Sequence, residues 1–359
     1  MIGPTPDEQR VLDLANELGY WPSYRQTKDH LGIDSNAVAG IRNAAEAYWR
    51  GSDTPTASLR RGSGVPIVIG VTAEQQADPS EMARVWAAAI AHCDCEAERA
   101  RQRKNQRIVF PPEPFALALL GDTHVGDSGV DYRALRRDAE IIRDTPGMSA
   151  IFGGDSTNNW IIGKLQALQR NELLSHDTAW SLFLDWFDMI GSKWVAVIAG
   201  NHNAWTSKVA GFDPLARHLQ NALCLYDPDE IVFALECGDF RQRWKVRHKW
   251  RGSSIFNPTH GQEVGWERGD DDYDVAVGFH THNGTLFREF MKHGRRRYAV
   301  QMGAYKLRDR YGVEIGFAST PGVGCGAVVG APDGRFSWHR DLGEAASYLE
   351  FLRSRYVLE

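Results

Sequence analysis

Cysteine is sparse in this sequence and badly spaced for a structural framework. Five are spread over 359 residues (Cys93, Cys95, Cys224, Cys237 and Cys325). The number is odd, no CxxC pair exists, and Cys93-Asp94-Cys95 is tighter than the usual zinc spacing. A disulfide scaffold is disfavoured, and buried free thiols in a reducing compartment are expected. Long apolar runs are missing too, for none approaches the ~20 residues of a membrane span. The opening Met1-Ile2-Gly3-Pro4-Thr5-Pro6-Asp7-Glu8 lacks a basic stretch followed by an apolar core. No signal peptide is therefore expected, and a cytoplasmic location without a membrane partner follows. Nor is there a surplus of positive charge. The formal net charge of -5 gives no global pull toward nucleic acid, so any such affinity must come from local patches. No internal repeat or low-complexity tract is present, and the glycines of Pro321–Gly326 do not form a dinucleotide fingerprint.

What remains is ordinary globular composition, 43% apolar and 24% charged, in a chain long enough for about two domains. Residues 1–50 read as a helical, helix-turn-helix-like module. Leu12, Leu14, Ala15 and Leu18 form a stripe after Pro6-Asp7-Glu8. Thr27–Leu31, a turn at Gly32-Ile33-Asp34, and Asn36–Trp49 behind the cap Ser35 supply two further helices. The alternatives are recruitment to DNA and a plain helical bundle. Residues 51–114 read as a linker, a short strand (Ile67–Val71) and a long helix from Ser80, stopped at Pro111-Pro112-Glu113-Pro114. From 115 to 359, short apolar strands alternate with helical stretches, which predicts an α/β layered domain.

Three of those strands, Ala116–Leu120, Ala150–Phe152 and Trp194–Ile198, run into polar clusters. These are Gly121-Asp122-Thr123-His124, Gly153-Gly154-Asp155-Ser156-Thr157-Asn158-Asn159 and Gly200-Asn201-His202-Asn203. Two later strands are expected to end in Thr259-His260-Gly261 and Gly278-Phe279-His280-Thr281-His282. Loops at the carboxyl ends of strands gather functional groups in α/β proteins. A mixed imidazole, carboxylate and amide set suits divalent manganese, iron, zinc or nickel.

In that order the five motifs resemble the calcineurin-like metallophosphoesterase superfamily. The resemblance implies a four-layer α-β-β-α sandwich, here with a small all-α N-terminal module. It further implies two divalent metal ions, manganese first. Asp122, His124 and His282 would hold one, Asn201, His260 and His280 the other, with Asp155 bridging. His202 and Asn158 would be catalytic, His202 at the leaving group and Asn158 orienting its ring through the amide oxygen. Two cations about 3.5–4 Å apart clamp a phosphate and turn a bridging water into hydroxide at neutral pH. Two departures stand out: Phe279 separates Gly278 from His280, and position 158 is Asn where many relatives have Asp.

In Arg241–Arg251 every odd position is basic: Arg241, Arg243, Lys245, Arg247, Lys249 and Arg251. A period of two predicts a strand with one cationic face, hairpin-paired with Ile231–Cys237 across Gly238-Asp239. Such a face fits a nucleic-acid track, DNA favoured, or a solvated edge strand. The reading is a metal-dependent nuclease or phosphodiesterase, in a layout resembling phage or prophage proteins. The alternatives are a phosphodiesterase or phosphatase for small phosphate esters, and a DNA-binding regulator whose metal site is vestigial.

Overall fold

The computed structural model describes residues 5–18, 24–32, 79–252, 254–308 and 324–356, apart from 255, 269–271, 283 and 293, with single positions 38, 41, 45 and 316. The chain divides into two compact units, 1–97 and 98–359.

In the first unit, α1 (Pro6–Leu18) opens on a reciprocal cap. The Thr5 N–H donates to Glu8 Oε2 at 2.7 Å, and the Glu8 N–H donates to Thr5 Oγ1 at 3.4 Å. With α2 (Tyr24–Leu31) it buries Val11 and Leu31 against Ala45, flanked by Leu12 and Ile41. The expected cap Ser35, most of the helix Asn36–Trp49, the linker and the strand Ile67–Val71 lie outside the described residues. The 26-residue helix α3 (Pro79–Lys104) crosses the division between the units. It corrects one expectation: Cys93 and Cys95 lie exposed on it, whereas Cys237 and Cys325 are buried, and all five thiols are free. No helix among the described residues is long and apolar enough to cross a membrane.

The second unit is an α/β sandwich of two six-stranded sheets. Its elements are β1 (Gln106–Phe110), β2 (Phe115–Leu120), α4 (Tyr132–Asp144), β3 (Met148–Phe152), α5 (His176–Ile190), β4 (Trp194–Ile198), α6 (Gly200–Ala210), β5 (Leu225–Asp227), β6 (Glu230–Cys237) and β7 (Phe240–Arg247). There follow α7 (His260–Arg268), β8 (Val275–Gly278), β9 (Leu286–Lys292), β10 (Arg295–Gln301), β11 (Cys325–Gly330), β12 (Phe336–His339) and α8 (Leu342–Tyr356). One sheet runs β1-β6-β7-β8-β10-β9 and the other β12-β11-β2-β3-β4-β5. Because β1 pairs with β6 from Gln106↔Phe233 to Phe110↔Cys237, the sheet begins upstream of residue 115, and the prolines 111–114 turn the chain between two strands.

Alternation along the strands decides the layers. Leu117, Leu119, Ile151, Ala196 and Ile198 face Phe233, Leu235, Trp244, Val246 and Val277 in the core between the sheets. Ala116, Ala118, Leu120, Ala150 and Phe152 face the other way, onto α4, α5 and α8. On the far side of the first sheet, Trp266 of α7 packs with Trp250, Tyr273, Ala276 and Ala299. The predicted hairpin is present: β6 and β7 are antiparallel, with Cys237↔Phe240 closing the two-residue turn Gly238-Asp239.

Candidate metal centre

The carboxyl ends of the strands bring the polar loops together. Neighbouring loops are stitched by main-chain bonds, Asp122 N–H to Gly154 O at 2.8 Å and Asp155 N–H to Ala199 O at 3.0 Å. Beneath them Phe279 fills the space between the sheets and is only 1% exposed. A Cβ on Gly121 would lie 2.6 Å from its ring, and one on Gly153 2.2 Å away. Glycine is required at both positions for this close approach. The residue that separates Gly278 from His280 is thus a core plug just past the end of β8, and His280 after it has left-handed backbone with φ 76°. Among the described residues, the non-glycine positions with positive φ are Asp122, His124, Asp155, Asn159, His280 and His282. All lie in these loops, and strained backbone of this kind persists where a site over-determines it.

Two groups of donors result: Asp122, His124 and His282, and Asp155, His248 and His280, with each group's ligand atoms within 4.8 Å of one another. In the first, His124 Nε2 and His282 Nε2 face each other at 3.0 Å, and His282 Nε2 lies 3.2 Å from Asp122 Oδ1. In the second, His248 Nε2 lies 2.9 Å from Asn201 Oδ1, 3.1 Å from Asp155 Oδ2 and 3.2 Å from His280 Nδ1. The His280 N–H donates to Asp122 Oδ2 at 2.9 Å, which joins the groups. Imidazole nitrogens and carboxylate oxygens converging in two such groups are a donor set for divalent cations, so the residues fit two metals.

The electrostatics agree. Burial alone would raise the Asp122 carboxyl, but hydrogen bonds from His124 and His282 hold it well below the usual carboxylate range. Asp155 is held low against its burial by His248 and His202. Burial, with the charge of Lys306, pushes His124 down to about 3. Burial, with the charge of His248, pushes His280 down to about 4. Both rings therefore stay neutral, as metal ligands must be. His248 is the exception: burial opposes its charge, yet Asp155 and Asp122 outweigh that and raise it to about 9. A cation at its Nε2 would take the place of that proton. Its Nδ1 sits 2.8 Å from Gly153 O, the outer bond that aims Nε2 at the group.

His248 is the residue sequence reasoning missed. It lies just past β7, whose Arg247 pairs with Gly278 of β8, so the chain carries His248 beside His280. The alternation of basic residues instead places position 248 on the largely apolar face of a basic strand. His260, expected as a ligand, is exposed and opens α7 instead of ending a strand. Thr259 and Asn257 bind Glu263 through their side chains to start that helix, which lies on the outer face of the sheet.

Asn158 holds His202 by a different route from the expected one. Its main-chain oxygen, not its amide, meets His202 Nδ1. The His202 N–H donates to Asp155 Oδ1 at 2.9 Å, and its Nε2 stands 3.8 Å from Asp155 Oδ2. Burial lowers the His202 imidazole, opposed by Asp155 and the Asn158 carbonyl.

The basic strand is an interior one, between β6 and β8, which removes the edge-strand reading. Its cationic face is largely answered by acids of β6: Arg241 meets Glu236, and both Lys245 and Arg247 meet Glu230. Arg243 is half-buried, and Lys249 and Arg251 lie exposed beyond the strand end, just after His248. Arg295, Arg296 and Arg297 are likewise ion-paired, on the β9–β10 hairpin.

No family model matches the chain, and no curated protein does. Among solved structures it is similar to Vps29 of Chaetomium thermophilum, with 11% identity over 62% of this chain and 91% of that one and a TM-score of 0.31. It is also similar to GAP50, the anchor in the inner membrane complex of Plasmodium, with 11% identity over 63% and 83% and a TM-score of 0.30.

Proposed function

We propose that this chain is a metal-dependent phosphoesterase of the calcineurin-like kind, acting on phosphodiesters. The observation that carries the reading is the pair of converging donor groups, set largely on strained loop positions. Asp122, His124 and His282 would hold one cation, and His248, His280 and Asn201 the other, with Asp155 between them; manganese is the ion we favour. Such cations, when bound, supply charge for phosphoryl oxygens and activate a water at neutral pH. The chain's own residues complete the chemistry. With Nδ1 held by the Asn158 carbonyl, His202 turns Nε2 toward the donor groups from a side chain 12% exposed. There it can hydrogen-bond a leaving oxygen and pass it a proton.

For the substrate, exposed Lys249 and Arg251 beside His248 support an anionic strand, and nucleic acid is our first reading, with DNA recruitment by the N-terminal helices. The ion pairs that answer Arg241, Lys245 and Arg247 favour a second, a nucleotide or other small phosphate ester. The test is to load the protein with manganese and incubate it with single-stranded DNA, duplex DNA, RNA and a bis-aryl phosphodiester, with a chelated control. Chelator-sensitive cleavage of an oligonucleotide supports the first reading, and cleavage of the aryl ester alone supports the second. No turnover with any ester, at two bound metals, refutes the enzyme reading.

A further inference from the structure

Glu172 lies outside every motif, just after a 3-10 segment (Gly163–Asn171), yet it reaches the surroundings of His202 by two paths. Its Oε1 accepts from Asn158 Nδ2 at 2.9 Å and from Trp160 Nε1 at 2.6 Å. Asn158 supplies the carbonyl that takes His202 Nδ1. The ring of Trp160 stands edge-on to His202, with centroids 5.2 Å apart. One carboxylate oxygen thus holds both the residue that fixes the imidazole's rotation and the ring that walls one side of it.

The rest of the shell is built to keep that oxygen in place. The N–H groups of Leu173 and Leu174 donate to Gly126 O at 2.8 and 3.3 Å, tying the 172–174 segment to the loop after His124. The second proton of Asn158 Nδ2 goes to Asp127 Oδ2 at 2.9 Å. Asp127 Oδ2 also receives Lys306 Nζ at 3.0 Å, and Lys306 is buried. The Asn158 amide is therefore committed to two carboxylates and cannot rotate to offer its oxygen to His202. An aspartate in its place would set a third carboxylate among them, and like charges at such distances repel strongly. Asn at 158 and Glu172 read as one device.

The geometry points to Glu172 as a positioning residue for His202, acting through Asn158 and Trp160. The inference rests on the proposed role of His202 at the leaving group, but part of its test does not. The first arm uses the manganese-loaded protein with two phosphodiesters, one leaving as p-nitrophenolate and one as a poorly activated alkoxide. A positioned acid is worth ~10²–10⁴-fold, and misorienting it forfeits part of that. Glu172→Ala should lower kcat on the alkyl ester by ~10–100-fold and on the nitrophenyl ester by less than ~5-fold, at unchanged KM and metal content. Glu172→Gln, which keeps an acceptor oxygen, should restore most of the loss. The second arm needs no activity: the downfield Nδ1–H proton of His202 in histidine-labelled protein, assigned by its loss in His202→Asn. Glu172→Ala should abolish or broaden that signal, and Glu172→Gln should keep it. Should Glu172→Ala unfold, Trp160→Phe, which lacks the indole donor, should weaken the signal in the same sense. Retention of the wild-type signal in these folded variants, or equal kcat losses on both esters, overturns the assignment. If the wild-type protein hydrolyses neither ester, the phosphoesterase reading fails while the proton signal still decides the positioning role.

Discussion

Phe279 and Gly153 offer a sharp test of how the metal loops are supported. Phe279 is 1% exposed, in the core between the sheets. Truncating a buried Phe to Ala costs about 3–5 kcal/mol through lost burial and the cavity left behind. Gly153→Ala acts on the same space from the other side, for its new Cβ would sit 2.2 Å from Cε1 and Cζ of Phe279. That is far inside van der Waals contact, and the backbone at 153 is not left-handed, so overpacking is the whole effect. Insertions of this kind cost ~1–3 kcal/mol, here toward the upper end. If the two sites were independent, the double variant would lose ~5–8 kcal/mol. The structure predicts otherwise: removing the ring vacates the volume that a methyl group at position 153 needs. The double variant should be about as stable as Phe279→Ala alone, a coupling of ~2–3 kcal/mol. Denaturant melts of wild type, both singles and the double, with bound metal measured in parallel, give the cycle. Additivity within ~0.5 kcal/mol would show that the ring does not sit under Gly153.

Other outcomes follow from the site. His248→Ala should lose one equivalent of metal while His260→Ala keeps both; metal analysis showing the reverse would return His260 to the site. Asp155→Ala should lose both metals if that carboxylate serves both groups, and two equivalents retained would remove the bridging role. Lys249→Ser with Arg251→Ser should flatten the slope of log affinity for an oligonucleotide against log salt by up to about two, one per phosphate contact. An unchanged slope would favour the small-ester reading. Burial raises the Glu172 carboxyl above its ordinary value. The folded state then binds more protons than the unfolded one between the ordinary and raised values, so this contribution is present at low pH and lost as pH rises through the raised value. Relative to Glu172→Gln, the wild type should therefore be more stable at acidic than at alkaline pH in paired melts, and the opposite trend would show that Glu172 is not held in a desolvated place.

Much of the centre was legible because β2, β3 and β4 are apolar runs broken by Gly-Asp or Gly-Asn, where a strand must stop and a backbone must turn. His248 was not legible, because it directly follows an interior strand whose alternating Arg and Lys assign position 248 to the largely apolar face. His260 followed an apparent strand and sat beside a glycine, but Thr259 and Glu263 are the start signals of a helix. The basic face shows what pattern alone omits. Its neutralising acids, Glu230 and Glu236, become partners only through the two-residue turn that sets Glu230↔Arg247 and Glu236↔Arg241. Glu172, Asp127 and Lys306 carry no motif at all. They meet only when three loops fold onto one another.

The backbone itself points to the same place. A left-handed conformation costs an ordinary residue ~1–2 kcal/mol, and six of them in one unit would consume much of a domain's usual stability surplus. The choice of residues softens this, since Asp, Asn and His tolerate that region better than bulky side chains do. The main-chain bonds from Asp122 to Gly154 and from Asp155 to Ala199 compensate for more of it. The bond from the His280 N–H to Asp122 Oδ2 ties one donor group's backbone to the other group's carboxylate. A purely structural loop set would gain nothing from turning buried carboxylates and imidazoles toward one another at such strain. Cations between them would offset it, by satisfying lone pairs that the protein leaves facing each other. On this account strain, burial and donor chemistry are one feature of the fold, and Phe279 is the wedge that holds them in register.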